Sequence, residues 1–254
     1  MPIRRSIVTI VKLILFYFAY QLGFSGVSMC VSRFVIPMDM GTMTSVTMVV
    51  STIAMAWHLI HFGYVRLSCD RYKEVSLSTL GVSVVFVLSA TYVLNLLIEQ
   101  VGIPNTMEDT FLAMAGNPFG VLSISLLAPI LEELLFRGAI QGCLQARGKS
   151  PWMAIVVASL IFGVVHMNPA QIPFAFLLGM MFGWLYYRTG SLLPGIVGHI
   201  LNNSIATANM ILYGNSTIEE QMQDGTMMWV WALVAFVAFI VAAMWLNRNL
   251  KRVQ

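Results

Sequence analysis

Apolar residues in this chain fall into long unbroken runs separated by short polar stretches. They do not alternate as in a half-buried strand, nor form the single stripe of a surface helix. A helix needs about 20 apolar residues to cross roughly 30 Å of hydrocarbon. Eight runs approach or exceed that length, over residues 7–31, 44–65, 75–98, 119–146, 151–167, 172–187, 192–212 and 227–245. The pattern predicts an all-α fold, a polytopic transmembrane helical bundle of about eight membrane-spanning helices. The fourth run is long and contains Pro129, which removes one backbone donor and predicts a bend just before the charged residues that follow.

Composition points the same way. The chain of 254 residues is 58% hydrophobic and 10% charged, with a mean hydropathy of +0.81. A soluble domain carries about 25% charged residues, so this chain has too few ionic groups to cover a water-facing surface. The three cysteines, Cys30, Cys69 and Cys143, are far apart without a CxxC and read as small apolar residues. No repeat, linker or low-complexity tract divides the chain, which predicts one integral-membrane domain over 1–254. No basic-aromatic stretch suggests nucleic acid, and the lipid bilayer is the expected partner.

Loop charges predict the orientation. With a cytoplasmic N-terminus and one crossing per run, twelve of the fourteen Lys and Arg residues fall inside, Arg33 falls outside, and Arg137 stays in the membrane. Seven of the eleven acids fall outside. This asymmetry follows the positive-inside rule and places both termini in the cytoplasm. The first run has an apolar core of about 25 residues, longer than the roughly 7–15 of a signal peptide, and reads as a retained anchor.

Ionisable groups inside a span cost about 2.5–3.5 kcal/mol each on insertion scales. The fourth run nevertheless contains Glu132, Glu133 and Arg137. Glu133 and Arg137 are four apart and share a helix face, so they read as a bracing pair. Glu132 lies about 100° round the helix, without a local partner. The fifth run ends with Phe162 and His166, and the seventh holds His199 and Asn203, again four apart. A lone buried His is most often a satisfied core residue. Two of them on separate runs, with an unpartnered Glu on a third, favour a site. A carboxylate and an imidazole can take a proton from water. A second His and an Asn amide can donate to an oxyanion. Two His and a Glu could equally hold Zn²⁺ with an open position for water, and residue types alone do not separate the two.

Glu132-Glu133-x-x-x-Arg137, Phe162-x-x-x-His166 and His199-x-x-x-Asn203, in that order on successive runs, resemble the CPBP family. That family includes the type II CAAX prenyl endopeptidases and the bacterial Abi proteins of bacteriocin processing and self-immunity. The similarity covers about residues 120–209, the expected catalytic core. It implies an intramembrane endopeptidase in which Glu132 and His166 activate water. His199 and Asn203 would then form the oxyanion site, braced by Glu133, Arg137 and Phe162. It also implies a glutamate-type mechanism with no cofactor. The alternative is a zinc enzyme with Glu132, His166 and His199 as ligands. The implied substrate is a membrane-associated peptide or protein, such as a prenylated protein or a bacteriocin precursor, entering from the cytoplasmic side. In a bacterial host the location would be the inner membrane.

Other signals are weaker. Gly23-Phe24-Ser25-Gly26 matches the GxSG of rhomboid proteases, but it sits in the first run and no His stands at the matching late position. No HExxH occurs. His58 and His61 read as interfacial, Gly179 and Gly183 as a GxxxG packing pair, and the 18 Met residues as adaptable packing. The competing functions are a transporter or proton relay built on buried Glu and His, which would spread its acids along the membrane normal, and a non-catalytic membrane partner.

Overall fold

The computed structural model describes residues 2–65, 75–222 and 224–250. Each apolar run becomes a helix: α1 Pro2–Phe34, α2 Met40–His61, α3 Leu77–Val101, α5 Pro118–Ala146, α6 Pro151–Val164, α7 Gln171–Thr189, α8 Leu193–Tyr213 and α10 Gly225–Asn249. Two short helices that the periodicity did not predict lie between them, α4 Glu108–Ala115 and α9 Ile218–Met222. No strand occurs among the described residues. The chain is an all-helical integral-membrane protein.

Among the described residues, five helices are long and apolar enough to cross a bilayer: α1, α2, α3, α5 and α10. With 14 residues, α6 extends only about 21 Å. Although α7 and α8 have 19 and 21 residues, they are less apolar, and α8 contains His199, Asn202 and Asn203. The three helices that depart from the simple spanning pattern all border the candidate site.

Local sequence sets the helix ends. Asp39 caps α2, accepting from the Thr42 hydroxyl at 2.6 Å and its amide at 2.9 Å, and these bonds hold its carboxyl below the usual range. Ser76, Asn117 and Asp224 cap α3, α5 and α10 in the same way. At the end of α7, Gly190 turns the chain with φ of +66°, a conformation that costs glycine little.

Buried Arg188 fastens the last helix. It donates to the Asn247 side chain and to the carbonyls of Asn247 at 2.8 Å and Leu250 at 2.5 Å, so it neutralises the exposed C-terminal carbonyls of α10. One of the twelve cations assigned to the inside is therefore a structural clamp. Five others, Arg66, Arg71, Lys73, Lys251 and Arg252, lie outside the described residues, as does Cys69.

Two apolar clusters flank the site. One packs Leu131, Leu135 and Phe136 of α5 against Leu13 of α1, Leu59 of α2 and Phe162 of α6. The other joins Phe86 of α3, Phe182 of α7 and Leu246 of α10.

Candidate active site

The centre of the site is an unusual stretch of α5. The helix runs on through Pro129, but residues Ser123–Leu127 and Glu133–Gln141 take the wider π-helical hydrogen-bond pattern. Pro129 cannot donate to the carbonyl one turn back, and the π turns either side accommodate the missing bond. Such turns are rare and often lie at functional sites. Here the change from α to π falls between Glu132 and Glu133.

Both carboxylates meet His199 of α8. Its Nδ1 lies 3.2 Å from Glu133 Oε1, and its Nε2 lies 3.4 Å from Glu132 Oε2. Glu133 Oε1 also faces Arg137 Nη1 at 3.0 Å, with both side chains 1% exposed. That approach is a close ion pair whose angle falls short of a hydrogen bond. The rest of the guanidinium lies over the rings of Phe162, at 4.5 Å, and Phe182, at 5.2 Å. Each carboxylate of the cluster has a buried nitrogen partner, His199 for Glu132 and both His199 and Arg137 for Glu133. The partner that Glu132 lacks locally is thus supplied across the bundle.

His166 stands just beyond the end of α6. Its Nδ1 is 2.7 Å from the Phe162 carbonyl. A carbonyl only accepts, so Nδ1 carries the hydrogen, and Nε2 of the neutral ring keeps a free lone pair. The Phe162 ring lies 4.9 Å from His166 and 6.0 Å from His199, close to edge-on in both cases. The turn is fixed by Asn168, fully buried, which accepts from the Thr106 amide at 3.1 Å and donates to Asn105 at 2.8 Å. Met167 in this turn has φ of +50°, uncommon for a non-glycine residue.

Asn203 lies one turn beyond His199. Its amide donates to the Ile124 carbonyl at 3.1 Å, in the first π segment, and its oxygen accepts from Asn202 at 3.0 Å. The second hydrogen of its NH₂ group is not used by these bonds.

Counting residues from the helix ends places His166 and His199 at different depths, yet one Phe162 ring meets both. Thr189, Ser191 and Leu192, in the turn before α8, are buried, so the start of α8 is covered by its neighbours. The backbone of this sunken turn is satisfied by Thr189 and Ser191, whose hydroxyls accept from the Ser191 and Leu193 amides at 3.2 Å.

The structure adds residues that the motifs do not mark. The Phe182 ring stacks on His199 at 4.8 Å. A Cβ on Gly195 would lie 2.8 Å from Glu133 Oε2, and one on Gly179 would lie 3.1 Å from Arg137 Nη2. The GxxxG pair therefore admits the guanidinium and the side chain of Gln141 as well as a neighbouring helix. An aromatic contact on a bundle interior has no sequence period of its own, which is why Phe182 escaped notice.

Among the described residues no three His, Cys, Asp or Glu side chains group closely enough to ligate one ion. His166, with Nδ1 on a carbonyl, keeps Nε2 free, whereas both His199 nitrogens face carboxylates, so of the two imidazoles in the set Glu132, His166 and His199 only one has an unengaged nitrogen in this arrangement. His58 is buried in aromatic residues with its Nδ1 3.1 Å from the Tyr20 hydroxyl, and His61 stacks on Trp57. Gly23 and Gly26 border open space.

Residues 115–205 match the family model described as type II CAAX prenyl endopeptidase Rce1-like. YdiL of Bacillus subtilis, named as a candidate membrane peptidase, is 29% identical over 104 residues, 41% of this chain and 42% of YdiL. The membrane-embedded CAAX protease MroQ of Staphylococcus aureus is 32% identical over 114 residues, 43% of this chain and 46% of MroQ. The matched stretch thus spans less than half the length of either relative. No solved structure matches.

Proposed function

We propose that this chain, whose residues 115–205 match the type II CAAX prenyl endopeptidase model, is a CPBP-type intramembrane endopeptidase using Glu132 as base. The observation that carries this reading is the buried cluster of Glu132, His199, Glu133 and Arg137, joined to His166 through the Phe162 ring that meets both imidazoles.

A water held between Glu132 and His166 Nε2 gives a proton to Glu132 as its oxygen attacks the scissile carbonyl. Once Glu132 is protonated, its hold on the His199 Nε2 hydrogen weakens. That hydrogen and the spare Asn203 N–H then receive the oxyanion. Collapse of the tetrahedral intermediate breaks the C–N bond, and the proton on Glu132 passes to the leaving amine. Glu133, itself paired with Arg137, keeps His199 oriented throughout. The mechanism takes no step through a metal.

The substrate in this reading is a membrane-associated peptide or protein. A CAAX-type protein, prenylated or not, and a bacteriocin precursor are the two candidates, the first favoured by the printed name of MroQ. A proton relay fits less well, because the acids described within the core are adjacent instead of forming a line across the bilayer. The test is a comparison of membrane-peptide termini in cells with the wild-type protein and with Glu132→Ala at equal abundance. Products present only with the wild type are expected; identical termini in both would remove the peptidase.

A further inference from the structure

A cavity of about 450 Å³ lies between α3, α8, α9 and α10, away from Glu132. Leu88, Ile205, Trp231 and Val234 make much of its wall apolar, as expected for helices in lipid. The same wall carries four amides, Asn95, Asn202, Asn209 and Gln221. Gln221 is engaged with the Ser216 carbonyl at 2.8 Å. Asn95 and Asn209 have no hydrogen-bond partner among the described residues. Asn202 lines the cavity while donating to Asn203, so the cavity abuts the oxyanion side of the site.

An acyl chain filling this space would leave the amides unpaired. A peptide would not. A membrane peptide must unwind before water can attack its carbonyl carbon, and unwinding exposes N–H and C=O groups that lipid cannot satisfy. An asparagine side chain both donates and accepts, so it can pair with either group.

We propose that this cavity binds the unwound segment of the substrate next to the scissile bond, with Asn95, Asn202 and Asn209 pairing its backbone and the apolar wall taking its side chains. The proposal rests on the peptidase reading and names a binding subsite for it. Asn95 and Asn209 touch none of the reacting groups, so they can be changed without altering the chemistry.

The test uses full-length protein in lipid nanodiscs, carrying Glu132→Gln to prevent turnover and a photoreactive residue at Val234. The probe is a labelled synthetic peptide of about 20 residues, Leu- and Ala-rich with a central Gly-Ser pair. Crosslinking to the peptide is expected, with competition by unlabelled peptide and a loss of about tenfold in apparent affinity on adding Asn95→Leu and Asn209→Leu. Label found on phospholipid only, or peptide crosslinking unchanged by the two Leu substitutions, would overturn the subsite. Cleavage of the same peptide by protein with intact Glu132 is read separately and bears on the peptidase alone. Where cleavage occurs, the two substitutions should raise KM about tenfold with little change in kcat, the mark of lost uniform binding.

Discussion

Phe162 holds His166 twice: its backbone carbonyl takes the Nδ1 hydrogen at 2.7 Å, and its ring stands edge-on to the imidazole at 4.9 Å. The first contact fixes the tautomer and the second fixes the plane, so one residue decides where the free Nε2 points. The same ring supports Arg137 and meets His199, which makes Phe162 the joint between the two halves of the site.

That joint is open to test. Phe162→Leu keeps the carbonyl and removes the ring. Activity should fall by about 10–100-fold through kcat, while the protein still inserts, because misorientation of a reacting group costs rate more than binding. Purified protein assayed on a cleavable membrane peptide gives the split, and an unchanged kcat would show that the ring is only packing.

Removing the base should be more severe. Glu132→Gln and His166→Ala are each expected to lower turnover by at least about 10²-fold, the typical scale for a lost general base, at normal abundance. Wild-type turnover in either variant would remove that residue from the chemistry.

Arg137→Ala should act on folding first. It leaves Glu133, which is 1% exposed, with His199 alone as partner, and breaking a buried ion pair costs up to about 3–5 kcal/mol. Reduced steady-state abundance and a lower Tm in detergent are expected, out of proportion to any loss of specific activity in the surviving protein.

Gly195→Ala probes the same carboxylate from the other side. The added Cβ would meet Glu133 Oε2 at 2.8 Å, and overpacking of this kind costs about 1–3 kcal/mol. Because the carboxylate must move away from His199, specific activity should drop more than thermal stability. Equal losses in both would mean that the backbone yields instead.

Excess chelator should leave cleavage unchanged, since no step of the mechanism uses a metal. Loss of activity on chelation and recovery with Zn²⁺ would replace the glutamate mechanism. Arg188→Ala is the complementary control: it frees the end of α10, and hydrogen bonds from a charged donor contribute about 1.5–3 kcal/mol each, so Tm should fall while kcat stays the same.

The membrane bundle and its main helices are legible in the sequence, because the thermodynamic requirement of each span is local. About 20 apolar residues must be consecutive. The Glu133–Arg137 pair is legible for the same reason, since four-residue spacing puts both side chains on one face. The partner of Glu132 is not, because His199 comes from a distant helix, 66 residues beyond the neighbouring Glu133, and nothing local specifies which buried imidazole a carboxylate will meet. The π segment of α5, the sunken turn before α8 and the ring of Phe182 on His199 also belong to packing. Each depends on where Pro129, Ser191 and Gly195 place one helix against another. Sequence alone thus determined that charges enter the membrane and on which helices. Tertiary structure decided how they neutralise one another, because that depends on distances set only when the helices close together.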